Sequence, residues 1–356
     1  MSALRQFLKK NALTRDLLKH AHKWYFSILY IGSPVLASKY IYHHNLGKIL
    51  NLKNPKDFNE KLQWLKLYWQ NPLIAKCGDK YEVREYVEKS GCEEILAEIY
   101  GVYDKSSEIN WDSLPKKFAL KCTHGCGFNI ICDNKDKLDK DKASKQLDKW
   151  LKIRIDKYAA EIHYSKMKPR IICEQYIETD AGFLPVDYKF LCFNGKAKLV
   201  TVCSERITKL NFQFVDLNWK TMDIGSSLYP AGALPKKPEC FEEMIKYSEL
   251  LAAPFPFVRI DLYNFNGKPI LGEMTFTPGA AMNDNFSETG LQLLGEMLEL
   301  PAKYKVDSKR IFQENNITNK KLNNIIVPAL PSGNKRQVSD TSLIFSEEIH
   351  LKEQIK

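Results

Sequence analysis

The chain has 356 residues, of which 44% are hydrophobic and 27% are charged, and its formal net charge is +10. This length is sufficient for two or three compact units with a substantial core, and the composition excludes a wholly disordered chain. The positive charge favours an anionic partner such as a nucleotide, an acidic polysaccharide, a nucleic acid or an anionic lipid, without choosing among them.

The nine cysteines indicate free thiols in a reducing compartment, because their number is odd and their spacing gives no disulfide framework. Cys122, Cys126 and Cys132 lie close to His124, which raises the alternative of a zinc site. Their spacing fits no Cys-x-x-Cys pattern, and cysteines at strand ends are more often small core residues. We therefore favour a cytoplasmic protein without zinc at this place.

The N-terminal region is predicted to be helical and basic. Residues 3–24 have the pattern of a basic amphipathic helix. This helix either packs on its own domain, the interpretation we favour, or attaches the protein to the inner face of a membrane. The most apolar run, residues 24–37, has only 14 residues and is interrupted by Gly32 and Pro34, so it is too short to span a bilayer. No signal peptide is apparent.

Two further helices are predicted before the first strand. The stretch NPKDFNEKLQWLKLYW predicts a helix that begins at Asp57 or Asn59 as its cap. The stretch DKYEVREYVEKSG predicts a second helix that ends at Gly91. Asp79 stands at the expected N-cap of this second helix, so Lys80 is predicted to lie at the helix entrance.

Strands are predicted to dominate from residue 116, apart from one charged helix around 136–156. Hairpin turns at 194–195, 216–219 and 266–267 predict an antiparallel sheet across 185–275.

The stretch LKCTHGCGFNII places two glycines in a turn between two apolar stretches. Gly125 and Gly127 allow the backbone to fold over a polyphosphate, and Lys121 adds a point charge for the same oxygens. The alternative is a tight turn with a lysine that extends to solvent. The later stretch RIICEQYIE places Glu174 at a strand end, where a linking strand can offer backbone groups to an adenine edge. Glu178 is the candidate for the ribose hydroxyls.

The segment FVRIDLYNFNGKPILGEMTFTPGAAMND carries Asp261 on one predicted strand and Glu273 on the next. A regular Asn-Gly turn would send these side chains to opposite faces, whereas a one-residue bulge sets them, with Arg259 and Thr275, on one face. Facing carboxylates repel each other without a cation, and Mg²⁺ prefers oxygen ligands of this kind. The alternative is a pair of solvent-facing acids, but the Pro-Gly turn and small residues that follow favour a backbone packed against a ligand.

The order of these motifs resembles the ATP-grasp superfamily. More narrowly, NLKNPKDFNEKLQWLKLY, DKYEVREYV, LKCTHGCGFNII and DYKFLCFNGK resemble the TupA-like ATP-grasp family of surface-polysaccharide loci, over about residues 45–300. The resemblance implies an α+β fold in which two subdomains with antiparallel sheets clasp ATP. The implied segments are a helical basic region (1–75), a helix and connection (76–115), a lid with the glycine loop (116–172), a subdomain with the metal site (173–310) and a polar, loosely attached tail (311–356).

The resemblance also implies a role for each matching residue. For the nucleotide it implies Lys80, Lys121, Thr123, His124, Gly125, Gly127, Glu174, Tyr176, Ile177 and Glu178. For Mg²⁺ it implies Asp261, Glu273 and Thr275, and for the transferring phosphoryl group it implies Arg259, with Lys189 as a further phosphate contact. Thr275 replaces a frequent Asn of the superfamily, which affects the expected metal affinity. Residues 1–75 lack the alternating βαβ pattern that commonly helps to bind the carboxylate substrate.

The resemblance favours an ATP-dependent carboxylate–amine ligase that acts through an acyl phosphate, with ATP and Mg²⁺ as cofactors. The family implies a uronic-acid unit as the acid and an amino acid or amino sugar as the amine, in surface-polysaccharide or capsule biosynthesis. One alternative is a glycosyltransferase of the same pathway, although no Asp-x-Asp motif follows a Rossmann-like strand. Another is a non-catalytic nucleotide-binding protein. Nucleic-acid binding is disfavoured, because the lysines at 133–149 are interleaved with aspartates.

Overall fold

The computed structural model describes residues 24–178, 185–204, 211–229 and 232–303. The predicted tail, residues 311–356, lies outside these ranges. Of the helix predicted over residues 3–24, only residue 24 lies within them. Within the described ranges the chain combines helices with two antiparallel sheets, so the predicted α+β class is confirmed. No helix among these residues is both long and apolar enough to cross a bilayer.

Helices form the described part of the chain up to residue 90. Helical residues 24–32 are followed by four helices, α1 (Pro34–Leu46), α2 (Phe58–Tyr68), α3 (Pro72–Gly78) and α4 (Val83–Lys89). Asp57 caps α2 as predicted, because its carboxylate accepts a hydrogen bond from the Glu60 N–H. Asp79 was predicted to be the N-cap of α4, but this helix begins at Val83, about one turn further along the chain, so Asp79 does not cap it directly. Its carboxylate accepts from the Tyr81 and Glu82 N–H groups, in the turn before that helix.

The first sheet has four antiparallel strands in the order β1-β4-β2-β3. Its strands are β1 (Ile99–Tyr103), β2 (Phe118–Cys122), β3 (Asn129–Cys132) and β4 (Ile171–Gln175). Helix α5 (Lys140–Leu151) packs Leu147 and Trp150 into a small core with Phe118 and Ile130, and α6 (Asp156–Ala159) follows it. Strand β1 precedes the predicted lid segment, residues 116–172, and β4 extends beyond it. The predicted subdomain boundaries are not tested by this arrangement and remain a prediction.

The second sheet has five antiparallel strands in the order β7-β6-β5-β8-β9, which confirms the sheet predicted across 185–275. Its strands are β5 (Asp187–Phe193), β6 (Lys196–Ser204), β7 (Asn211–Asp216), β8 (Phe257–Phe265) and β9 (Lys268–Thr275), and it is accompanied by helices α7 (Phe241–Ala252) and α8 (Glu288–Met297). Asn266 and Gly267 both have positive φ, 52° and 76°, as a two-residue hairpin turn of the primed type requires. Asn194 and Gly195 repeat this conformation, with φ of 50° and 78°.

Helix α2 connects the N-terminal helices to the second sheet. The ring of Phe58 lies 5.8 Å from that of Phe193 and 5.0 Å from that of Phe257. On the same helix, Asn59 donates to the Asn283 carbonyl and accepts from the Asn283 N–H. The N-terminal helices therefore share one core with the sheet, and they fix the chain that follows β9.

Candidate active site

The hairpin of β8 and β9 brings four of the predicted site residues onto one face of the second sheet. Arg259 lies opposite Thr275, and Asp261 lies opposite Glu273. The register then shifts by one residue, so that Gly272 is the extra residue of a β-bulge. The bulge inferred from the sequence is therefore confirmed.

Gly272 is required at the bulge by the space around it. An added Cβ would lie 2.8 Å from the ring of Tyr263 and 3.2 Å from the backbone oxygen of Asp261. A side chain at this position would push β9 away from β8 and disturb the alignment of the two carboxylates. The glycine thus permits the pairing on which the site depends.

Arg259 lies at the centre of the charged residues on this face. Its Nε and Nη2 atoms each lie 2.6 Å from an oxygen of Asp261, which is 1% exposed. Nη2 also donates to Glu273 Oε1 at 3.0 Å and to the Thr275 hydroxyl at 3.1 Å. The three residues predicted to hold a metal are therefore joined through one guanidinium group.

Lys189 extends this cluster from the neighbouring strand, since it pairs with Asp261 in the β5–β8 register. Its Nζ atom lies 2.6 Å from Asp261 Oδ2 and 2.6 Å from Asp187 Oδ2. Asp187 was not identified in the sequence analysis. Its position two residues before Lys189, on the same face of β5, is the signal that could have identified it.

The ionic cluster, as we call it below, consists of three cations and three carboxylates: Lys80, Lys189 and Arg259 with Asp187, Asp261 and Glu273. Burial alone would lower the pKa of Lys189, but the charges of Asp187 and Asp261 outweigh it and raise that pKa above its usual value. Burial alone would raise the pKa of Glu273, but the nearby cations, Lys80 first, hold it well below its usual value. The charges of the cluster therefore balance one another in a poorly solvated place.

The glycine loop meets this cluster through Lys80. The Lys80 ammonium donates to the Gly125 carbonyl at 2.5 Å and lies 3.6 Å from Glu273 Oε2. Gly127 has a φ of 70°, a left-handed conformation that favours glycine. On β2, Lys121 pairs with the Glu174 carboxylate of β4. The structure thus brings Lys80 and the loop to the metal candidates, and it joins Lys121 to the predicted hinge residue.

Other predicted nucleotide residues make contacts within the first sheet. The Thr123 hydroxyl donates to the Lys168 carbonyl at 3.3 Å. His124 is 3% exposed, and burial lowers the pKa of its imidazole, so the ring is neutral at pH 7. The Lys117 ammonium lies 2.7 Å from Glu178 Oε2 and over the ring of Tyr176. Ile177, which stands between Tyr176 and Glu178 in the sequence, is half-buried. Nucleotide contacts by these residues remain a prediction.

A second polar group, not found from the sequence, lies beside the chain that continues from β9. The Thr277 hydroxyl donates to Glu161 at 2.5 Å, and the Lys66 ammonium donates to the Ala159 carbonyl at 2.7 Å. Lys66 and Thr277 line a cavity together with His163. Burial lowers the pKa of Lys66 to about 8 and that of His163 to about 3.

This second group borders on the ionic cluster. Burial first, and then the charges of Glu161 and Glu273, raise the pKa of the Tyr164 hydroxyl. This hydroxyl therefore interacts electrostatically with Glu161 of the second group and with Glu273 of the ionic cluster. Thr277 follows Thr275 by two residues. Lys66, Glu161 and Thr277 are far apart in the sequence, so no local sequence motif could predict this cavity.

The donors at the β8–β9 pair suit a hard cation. Asp261 and Glu273 offer carboxylate oxygens and Thr275 offers a hydroxyl, and Mg²⁺ commonly takes one or two carboxylates and completes its shell with water and phosphate oxygens. Among the residues that the structure describes, no group of three His, Cys, Asp or Glu side chains could hold a metal on its own. These donors fit a metal that is shared with a phosphorylated ligand and that takes the place now held by the Arg259 guanidinium.

A profile of the TupA-like ATPgrasp family matches residues 60–299, which is more than half of the chain. The chain belongs to this family. The two antiparallel sheets of this TupA-like protein are accordingly those of the ATP-grasp fold. No functionally curated protein has significant sequence similarity to it.

Solved structures similar to the TupA-like protein include several enzymes. D-alanine–D-alanine ligase from Bacillus anthracis is 15% identical, with a TM-score of 0.37 and coverage of 75% of this chain and 71% of that chain. L-amino acid ligase from Bacillus licheniformis is 13% identical, with a TM-score of 0.40 and coverage of 66% and 54%. N5-carboxyaminoimidazole synthase from Aspergillus clavatus, solved with ADP, is 10% identical, with a TM-score of 0.35 and coverage of 64% and 53%.

Proposed function

We propose that the protein is an ATP-dependent carboxylate–amine ligase. The observation that carries this proposal is the ionic cluster, in which an arginine joins two cross-strand carboxylates and Lys80 connects one of them to the glycine loop. Membership of the TupA-like ATP-grasp family supports binding of ATP and ligase chemistry. The family membership disfavours a glycosyltransferase. The cluster disfavours a decayed binding protein, since a buried ionic network is often no more stabilising than apolar side chains of similar volume.

The proposed reaction has two steps. A carboxylate oxygen of the acid forms a bond to the γ-phosphorus of ATP as the bond to the β,γ-bridging oxygen breaks, which yields an acyl phosphate and ADP. The nitrogen of the amine then attacks the acyl carbon, inorganic phosphate leaves, and the nitrogen loses a proton to solvent. Such phosphoryl transfer depends mainly on placement of the reactants and neutralisation of charge.

The chain supplies these two requirements from named residues. Lys80 and Lys121 would neutralise the nucleotide phosphates, and Arg259 and Lys189 would stabilise the transferring phosphoryl group. Asp261, Glu273 and Thr275 would hold Mg²⁺, which neutralises phosphate charge when bound. The glycine loop would exclude water from the acyl phosphate, with its position fixed by the bond between Lys80 and the Gly125 carbonyl.

For the adenosine part of ATP we assign the residues that lead out of β4. Glu174 is the residue before the last one of that strand, and Tyr176 with Ile177 would offer backbone groups to the adenine edge. Glu178 would bind the ribose hydroxyls after release from Lys117, with which it is paired across the surface. Thr123, His124 and Gly127 would shape the loop over the phosphates.

For the acid substrate we assign the cavity with Lys66 and His163. It lies next to the ionic cluster, and Lys66 is a buried cation whose one hydrogen bond given by the structure goes to a carbonyl group. The charge of Glu161 already opposes the effect of burial on Lys66, and a substrate carboxylate would add a direct ion pair to this lysine. From the resemblance to the family we propose a uronic-acid unit as the acid and an amino acid or amino sugar as the amine, in surface-polysaccharide synthesis in the cytoplasm.

Calorimetry of ATP binding in the presence of Mg²⁺ tests the proposal. We expect the intact protein to bind ATP, Glu273→Ala and Lys121→Ala to weaken binding at least about tenfold, and Lys196→Ala to leave it unchanged. Lys196 serves as the control because its pair with Glu249 lies at the surface, with the lysine side chain 66% exposed. A folded protein that ignores millimolar ATP would overturn the assignment, and ADP release with acid and amine pairs would extend it.

A further inference from the structure

The positive charge of the protein is concentrated near its N-terminus. Residues 1–56 contain ten Lys and Arg and one Asp, so they carry nine of the ten net positive charges. No acidic residue occurs from residue 17 to residue 56. The remainder of the chain, which includes the ionic cluster, is therefore almost neutral overall.

The first described helix exposes an apolar surface. Trp24, Ile28 and Ile31 are 69%, 46% and 73% exposed, and their spacing places them on one side of the helix. We call these three residues the N-terminal face. On the other side Phe26 is only 3% exposed and belongs to the core. The helix is therefore apolar on both sides, whereas the outer side of a surface helix is ordinarily polar.

Basic residues of α1 lie beside this helix. The rings of Tyr25 and Tyr40 are 5.1 Å apart, so the two helices run back along each other. Lys39, which is a cation, and His43 are exposed on α1. The apolar N-terminal face is therefore accompanied by a cationic side chain of the neighbouring helix.

We propose that the N-terminal face binds the surface of a bilayer that contains anionic lipids. The cations attract the lipid headgroups, while tryptophan and isoleucine enter the boundary between headgroups and acyl chains. A nucleic acid or an acidic glycan would use the cations but leave Ile28 and Ile31 in water. The proposal needs no nucleotide, so it stands or falls separately from the ligase assignment.

Flotation of the full chain with vesicles tests this inference. The vesicles are phosphatidylcholine alone, or phosphatidylcholine with about one-third phosphatidylglycerol. We expect binding at least about tenfold stronger to the anionic vesicles, weakened by added salt. A Trp24→Ser, Ile31→Ser double variant should lose at least about tenfold in binding. The matched control is a Leu228→Ser, Leu250→Ser double variant, which removes two exposed leucines elsewhere in the chain.

Three results would overturn the inference. They are absence of binding to either vesicle, equal binding by the two double variants, and self-association that the Trp24→Ser, Ile31→Ser change abolishes without any vesicle binding. The last result would identify a second copy of the chain as the occupant of the N-terminal face. Circular dichroism and urea unfolding, measured on each variant, show whether the fold is kept.

Discussion

Removal of the Lys189 ammonium should destabilise the protein far more than removal of a surface ammonium. Lys189 contacts two carboxylates at 2.6 Å, and their side chains are 5% and 2% exposed. Loss of one partner from a buried ion pair costs about 3–5 kcal/mol, because a poorly solvated charge loses its compensation. We expect Lys189→Met to fall near the lower end, since Arg259 still holds both oxygens of Asp261.

Lys196→Met on the adjacent strand is the control. Its 2.8 Å pair with Glu249 is at the surface, where such pairs contribute about 0–1 kcal/mol. Urea unfolding of both variants and the parent protein, followed by circular dichroism, gives the free energies of unfolding. Equal losses in the two variants, or a neutral Lys189→Met, would refute the view that the ionic cluster supports the fold in the absence of a ligand.

Three further predictions concern the loop, the buried lysine and the thiols. Gly127→Ala should lower the free energy of unfolding by about 1–2 kcal/mol, because φ at this residue is left-handed at 70°, and it should also weaken ATP binding. The control Gly91→Ala, at a φ of 66°, should lower stability without an effect on ATP binding. Urea unfolding and calorimetry measure the two effects. Because the pKa of Lys66 is about 8 in the fold and higher in the unfolded chain, the unfolded state binds the extra proton between pH 8 and pH 10. The free energy of unfolding of the parent should therefore rise by up to about 3 kcal/mol relative to Lys66→Met across that interval, and a constant difference would contradict the assignment. Burial raises the pKa of Cys122, Cys173 and Cys203 to about 12, so these thiols should resist a disulfide reagent at pH 8 until the protein is unfolded, as mass spectrometry of the labelled peptides would show.

The sequence was most informative where contacts are local. The Asn-Gly turn fixes the pairing at the end of the β8–β9 hairpin, and the requirement that Asp261 and Glu273 share a face then implies a bulge. Asp57 could be assigned as a cap because its partner lies three residues further along the chain. In each case the determining interaction falls within one hairpin or one turn.

Features that depend on distant contacts were missed. The strand β1 is short and contains Gly101, and it forms because β4, about seventy residues later, offers it an edge. The group of Lys66, Glu161 and Thr277 comes from three separate elements. Asp187 was overlooked since its meaning depends on Lys189 and on the register with β8. Tertiary pairing, rather than local propensity, decides these positions.

The β-bulge also limits how the length of this hairpin can change during evolution. If the turn and the bulge are kept, loss of one residue of β9 between them would place Glu273 opposite Leu262, and its side chain would then point to the face where Met274 and Leu271 are buried. One added residue between Asp261 and Glu273 would have the same effect. Two residues added together, one to each strand at the Asn266–Gly267 end, would lengthen the hairpin and keep both carboxylates on the functional face. Related chains that retain this site and its bulge are therefore expected to differ in hairpin length by even numbers of residues.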